Sequence, residues 1–382
     1  MKKNIYKMMT PGPTAPAPSV MEARSRFFRN PDVDEEFCEE YYQICRSLAG
    51  LLHTENEVYI LGGEGILALE AACASLTEPG DQVLVIDNGI FGKGFADFVS
   101  LYGGEATLYT TDYHRPIDPE KLAAFLVNNH NFKYATVVHC DTPSGVLNDI
   151  AAICPLLKQY GILTVVDAVA SMFGEEVRID DWQMDVVCGG SQKALSAPPG
   201  LAFVAVSRDA MTTMENRQTE VASFYCNLLT FKNYYRDKWF PYTMPISDIY
   251  GLREAIRLVE NDPDRIARHQ RIARAVRQAV REAGLSLYLE TGDASTVTVI
   301  QVPEGITDRM IIQTMKEQYG ILISGCFDVL EGKVIRLGHM GNNANEEDVE
   351  RMLSALTRTL TQLGFECRCD MAYVFRKELE LN

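Results

Sequence analysis

The sequence predicts an α/β fold, with a large domain built on a mostly parallel central sheet and a smaller C-terminal α+β domain. Two patterns carry this reading. Over the first two-thirds of the 382 residues, short and almost wholly apolar runs alternate with amphipathic stretches. Strands that apolar are covered on both faces, and repeated βα units imply a parallel sheet flanked by helices. From about Asp248 the pattern becomes a long helical run to Ala283, broken at Asp262-Pro263, and a mixed segment follows Gly284. A boundary at Pro263 gives residues 1–262, with an N-terminal arm, and residues 263–382 as the expected domains. A chain of this length can bury two cores.

Each element has a local reason. Residues 58–61, 82–86, 134–138, 163–166, 185–188 and 202–206 read as buried strands. Residues 150–160 form an amphipathic helix stopped by Gly161. In the C-terminal part, strands are expected at 297–302, 321–324 and 333–337, and helices at 307–318 and 345–363. Thr307 and Asn345 suit N-caps. Asn345 is followed by Glu346, Glu347 and Asp348, where a helix dipole favours acids.

Composition excludes several partners. A net charge of −16, spread along the chain, would repel nucleic acid and anionic membranes. No run approaches the ~20 apolar residues of a membrane span, and no apolar leader follows Met1-Lys2-Lys3-Asn4. Of ten cysteines, Cys73 and Cys188 sit in apolar patterns, as expected of reduced thiols in a cytoplasmic protein. Cys367-Arg368-Cys369 has no second pair to complete a zinc site, and no metal is expected.

The chemistry resides at strand ends. Asp167 follows one buried strand and Lys193, twenty-six residues on, follows another through Gly189-Gly190-Ser191-Gln192. An acid and a lysine so placed are what a pyridoxal ring requires. The acid keeps the pyridine nitrogen protonated and the amine forms a Schiff base. The neutral stretch from Ala194 to Gly200 favours an uncharged amine. Gly62-Gly63-Glu64-Gly65 opens a helix, a ready anion site, yet Glu64 would repel a phosphate there. Thr142 lies at another strand end, where open α/β sheets bind ligands. His139 reads as a core histidine before a general base. Arg336, inside an apolar strand of the smaller domain, suits a substrate carboxylate.

Together these residues resemble class V aminotransferases of fold type I, the group of the alanine–glyoxylate and serine–glyoxylate enzymes. The likeness also runs through Thr10-Pro11-Gly12-Pro13, Asn88-Gly89-Ile90-Phe91-Gly92, Asp167-Ala168-Val169, Pro198-Pro199-Gly200-Leu201-Ala202 and Tyr242-Thr243-Met244-Pro245. It implies pyridoxal 5′-phosphate bound covalently to Lys193, with Asp167 on the pyridine nitrogen. It assigns Thr142 to the ring hydroxyl, Phe91 and Val169 to the ring faces, and Gln192 with Thr243 to the phosphate. Thr243 would come from the other subunit of a homodimer with shared sites. Arg336 would hold the substrate carboxylate.

A narrower likeness is to pyridoxamine–pyruvate aminotransferases, which use unphosphorylated pyridoxamine as substrate. These share Glu at the position of Glu64, beside Gly63 and Gly65, and the run Gly338-His339-Met340-Gly341. They carry Arg where this chain has Phe327, Tyr where it has Phe91, and lack Gln192. The expected reaction moves an amino group from a small amine to pyruvate or glyoxylate. The donor is either pyridoxamine, with Glu64 on its hydroxyl, or alanine or serine with bound pyridoxal phosphate. A cysteine desulfurase using Cys326, or a non-catalytic vitamin B6 binder, are the other readings.

Overall fold

The computed structural model describes residues 6–26 and 29–381. Its centre is a seven-stranded sheet of β1 (Glu57–Gly62), β2 (Gln82–Asp87), β3 (Glu105–Thr110), β4 (Tyr134–Val138), β5 (Leu163–Asp167), β6 (Val186–Gly190) and β7 (Leu201–Val206), in the order β1-β7-β6-β5-β4-β2-β3. All neighbours are parallel except β7, which is antiparallel to both β1 and β6. The link from β6 to β7 contains no helix, so the chain turns straight back; a parallel partner needs a crossover. Apolar runs do not reveal β3. It is a half-exposed edge strand with polar alternation.

The register sets strand ends side by side. Val138 of β4 pairs with Asp167 of β5, and Asp167 pairs with Cys188 of β6. The loops after β4, β5 and β6 therefore emerge together, carrying Thr142, Asp167 and Lys193. The end of β1 enters helix α1 (Gly65–Leu76), and β2 leads into α2 (Ile90–Leu101). One apolar core, including Ile60, Ala71, Leu84, Tyr134, Val165 and Phe203, packs the sheet against its helices.

The expected helical run is α3 (Ile246–Glu260) and α4 (Arg265–Glu282), separated at Pro263. Beyond it lie β8 (Val297–Gln301), α5 (Asp308–Tyr319), β9 (Val334–Gly338), α6 (Glu346–Gln362) and α7 (Met371–Leu381), with β8 antiparallel to β9. Thr307 caps α5 through the Met310 N–H, and Asn345 caps α6 through the Asp348 N–H. A second core of the smaller C-terminal domain gathers Ile272, Val276, Ile300, Ile335, Leu353 and Phe375. Met9 joins it, because Lys7–Met8 pairs in parallel with Ile321–Leu322. The N-terminal arm thus reaches across to the C-terminal domain. No helix among the described residues is long and apolar enough to cross a membrane.

Candidate active site

At the carboxyl ends of the strands lies a cavity of about 140 Å³, lined by Glu64, Gly65, Phe91, Thr142, Asp167, Val169, Gln192 and Lys193, with Ile66, Leu69, Cys140 and Ala170. Eight residues expected from the sequence thus share one small space.

Asp167 is buried, and its Oδ1 accepts the Val169 N–H at 2.9 Å. Burial drives its carboxyl up to about 7, against the opposing pull of that hydrogen bond. Lys193 is pushed below the usual lysine range by burial; Asp167 opposes the shift and Arg336 adds to it. Asp167 is poised to exchange a proton near neutrality, and Lys193 is shifted in the direction that favours an uncharged amine.

The lysine loop is held by distant segments. Lys193 Nζ donates to the Pro11 carbonyl at 3.2 Å. Gly12, at φ +112°, leaves no room for a side chain; a Cβ there would lie 2.5 Å from Lys193 Cδ. Thr14 donates its N–H to the Gln192 carbonyl at 3.0 Å and its hydroxyl to the Lys193 carbonyl at 2.8 Å. Buried Arg265 of α4 donates to the Ala194 carbonyl and, at 2.7 Å, to the Phe173 carbonyl.

At the cavity's other end, Glu64 caps α1. Its Oε1 accepts the Ile66 N–H at 3.0 Å, and its Oε2 accepts the Gln192 side-chain amide at 2.9 Å. Gln192 Oε1 is buried and has no hydrogen-bond partner. Flipping this amide would set two oxygens against each other, so Nε2 must face Glu64. Gly65 is small because Val169 packs on it: a Cβ would lie 2.8 Å from both Val169 γ-carbons. Gly63 is outside the lining, with Leu67 beside its Cα.

Phe91 is oriented by its N–H, which donates to Asp141 Oδ1 at 3.1 Å. Arg336 Nε donates to the Gly325 carbonyl at 2.7 Å, and Nη1 reaches the Thr142 carbonyl at 3.5 Å. The guanidinium is mostly buried and hydrogen-bonds to backbone carbonyls, leaving its charge without a carboxylate hydrogen bond among the described residues. His139 lies outside the lining, edge-on to Trp182 at 5.7 Å, with burial holding its imidazole down at about 4. Thr243 is exposed, donates to Asp32 at 2.9 Å and is absent from the cavity of its own chain. Cys326 is half-buried, and burial pushes its thiol up.

Sequence reasoning gave no role to Asp141, Gly12, Thr14 or Arg265. Asp141 carried a faint signal, an acid three residues beyond the end of a buried strand. The others act through contacts between residues far apart in the chain.

The Aminotransferase class-V family model matches residues 9–352. The chain is 32% identical to the pyridoxamine–pyruvate transaminase of Mesorhizobium japonicum, over 93% of this chain and 92% of that one. It is 27% identical to the alanine–glyoxylate aminotransferase of Drosophila melanogaster, over 98% of each. The crystal structure of the ureidoglycine–glyoxylate aminotransferase from Bacillus subtilis superposes with a TM-score of 0.94 at 27% identity, covering 99% of this chain and 98% of that one. From the N-terminal arm through Arg336 to α6, this chain belongs to the class V aminotransferases and is a fold type I transaminase.

Proposed function

We propose that this aminotransferase moves an amino group from pyridoxamine to a short 2-oxo acid, pyruvate or glyoxylate. The observation that carries the donor is the Glu64–Gln192 pair. The family implies pyridoxal phosphate, and the residues around Asp167 fit its pyridine ring. The residues at the phosphate end do not fit a phosphate. The anion site at the start of α1 is filled by the chain's own Glu64 carboxylate, and the Gln192 oxygen beside it lacks a donor. Two acceptors repel a dianion and welcome a hydroxyl hydrogen.

In this reading Asp167 holds the pyridine N–H, Phe91 and Val169 pack on the ring, and Thr142 meets the ring hydroxyl. When bound, the protonated ring supplies an electron sink for a carbanion at the carbon bearing the amine. Lys193 would make the covalent attachment and carry the proton between the two reacting carbons, burial shifting its amine in the direction that favours the uncharged form. Arg336 takes the carboxylate of the 2-oxo acid. The Pro11 carbonyl and Thr14 hold the lysine in place.

A homodimer is part of the proposal. Exposed Thr243 follows Tyr242, which stacks on exposed Tyr225 beside exposed Phe224, a patch that a second copy would cover. The ten free cysteines support a cytoplasmic setting. The elevated Cys326 thiol speaks against a desulfurase, whose nucleophile needs a lowered one.

A second reading, an alanine– or serine–glyoxylate aminotransferase with retained pyridoxal phosphate, is favoured by Gln192 and Thr243, which resemble the family's phosphate holders. Spectroscopic titration separates the two. Pyridoxal and pyridoxamine should bind purified protein more tightly than their phosphates, and pyridoxamine with pyruvate should turn over. Glu64→Ser should reverse the preference by ~10-fold or more. Lys193→Ala should abolish both the absorbance change and turnover. Copurifying pyridoxal phosphate with no pyridoxamine turnover would establish the second reading.

A further inference from the structure

Phe327 precedes β9 on the loop after Ile321–Leu322 and is 44% exposed. The Arg336 guanidinium carbon lies 5.9 Å from its ring centre, within cation–π range. Its edge meets Phe91, with centroids 6.2 Å apart and planes at 72°. Phe91 lines the cavity, and Arg336 reaches the backbone of Thr142, another lining residue. One phenyl ring therefore spans the corner between the ring site and the arginine. Lys193 is also coupled to Arg336, and the remaining charges acting on Arg336 and Cys326 are acidic. Asp141 faces Arg336, and both Asp141 and Asp328 face Cys326.

We propose that Phe327 is a specificity-determining residue for the acceptor, selecting a 2-oxo acid with one carboxylate and a short alkyl substituent. The inference rests on the reading that Arg336 takes the acceptor's carboxylate. With that carboxylate on Arg336, the remainder of a short acid lies against phenyl surface. A methyl or ethyl group gains contact there that glyoxylate cannot make, roughly 10-fold in kcat/KM. A second carboxylate would be desolvated against the same ring, with Asp141 and Asp328 nearby and, Lys193 being engaged with the donor, no added cation. Dicarboxylic acceptors should lose ~100-fold.

The test is kcat/KM for glyoxylate, pyruvate, 2-oxobutyrate, oxaloacetate and 2-oxoglutarate with wild type, Phe327→Leu, Phe327→Ala and Phe327→Arg. The amine half-reaction is measured separately by absorbance with pyridoxamine and with alanine. Wild type should rank the alkyl acids first. Phe327→Leu should keep most of that preference, Phe327→Ala should erase it, and Phe327→Arg should bring the dicarboxylic acids within ~10-fold of pyruvate. Unchanged ratios across the four proteins, with a normal amine half-reaction, would overturn the Phe327 assignment alone. So would wild type using 2-oxoglutarate as well as pyruvate. Failure of the amine half-reaction with every donor would overturn the wider reading and this one together.

Discussion

Asp167 illustrates how one buried carboxyl ties chemistry to stability. Its unfolded value is about 3.9, and burial raises the folded one to about 7. Between those values the native state binds more protons than the unfolded state, so its contribution to stability falls as pH rises through this window. Above pH 7 the uncompensated charge costs on the order of 4 kcal/mol in the ligand-free protein. Asp167→Asn should therefore raise the melting temperature of ligand-free enzyme at pH 8, and raise it by clearly less at pH 5, where only roughly a third of the cost has accrued. The same variant should lose at least ~100-fold in transamination rate, because the ring nitrogen loses its acidic partner. Equal stabilisation at both pH values would show that Asp167 is ionised throughout. The Asp167 and Lys193 pair was legible in the sequence because each is the one ionisable residue where an apolar run empties into a small-residue loop. The Glu64–Gln192 hydrogen bond was not, since it joins residues 128 positions apart across different strand ends.

Among the elements, the lysine loop depends most on others. Three successive carbonyls, of Gln192, Lys193 and Ala194, accept from Thr14 and Arg265. Arg265 also satisfies Phe173 in the loop after β5, so one guanidinium on α4 fastens the loops carrying both ring anchors. Removing it leaves two buried carbonyls without donors. Arg265→Met should cost ~2–4 kcal/mol in urea unfolding; a loss below ~0.5 kcal/mol would mean that water replaces it. Strand periodicity revealed six of the seven central strands. It did not reveal the direction of β7, because an apolar run reads alike in either sense. The helix-free link from Ser191 to Gly200 decided it.

For the whole molecule, buried groups of opposite tendency balance near neutrality. Burial holds His139 down at about 4, and His269 and His339 at about 3. Their stabilising terms are complete above about 6.5 and are lost as pH falls. Asp167 and Glu175, both raised to about 7 chiefly by burial, contribute the opposite slope over the range above about 4. Below that range the two acids are protonated in both states and their compensation ends. Glu78 and Glu254, held at about 2, then add to the loss. Melting temperature should change little between pH 7 and 5 and fall steeply below pH 4. A steady decline from pH 7, followed by circular dichroism, would contradict this balance. Net charge and composition foretold none of it, since the balance depends on which titratable groups the fold buries.

The arm that starts the chain has a consequence for synthesis. Lys7–Met8 finds its strand partner more than three hundred residues later, at Ile321–Leu322. The central sheet is already off the ribosome before that partner emerges, and domains fold as they appear. Pro11, Gly12 and Thr14 therefore receive their far anchor only after some three hundred further residues have been made. A nascent chain carries Lys193 before its surroundings are finished, and capacity for aldehyde capture matures only once Ile321–Leu322 has been made.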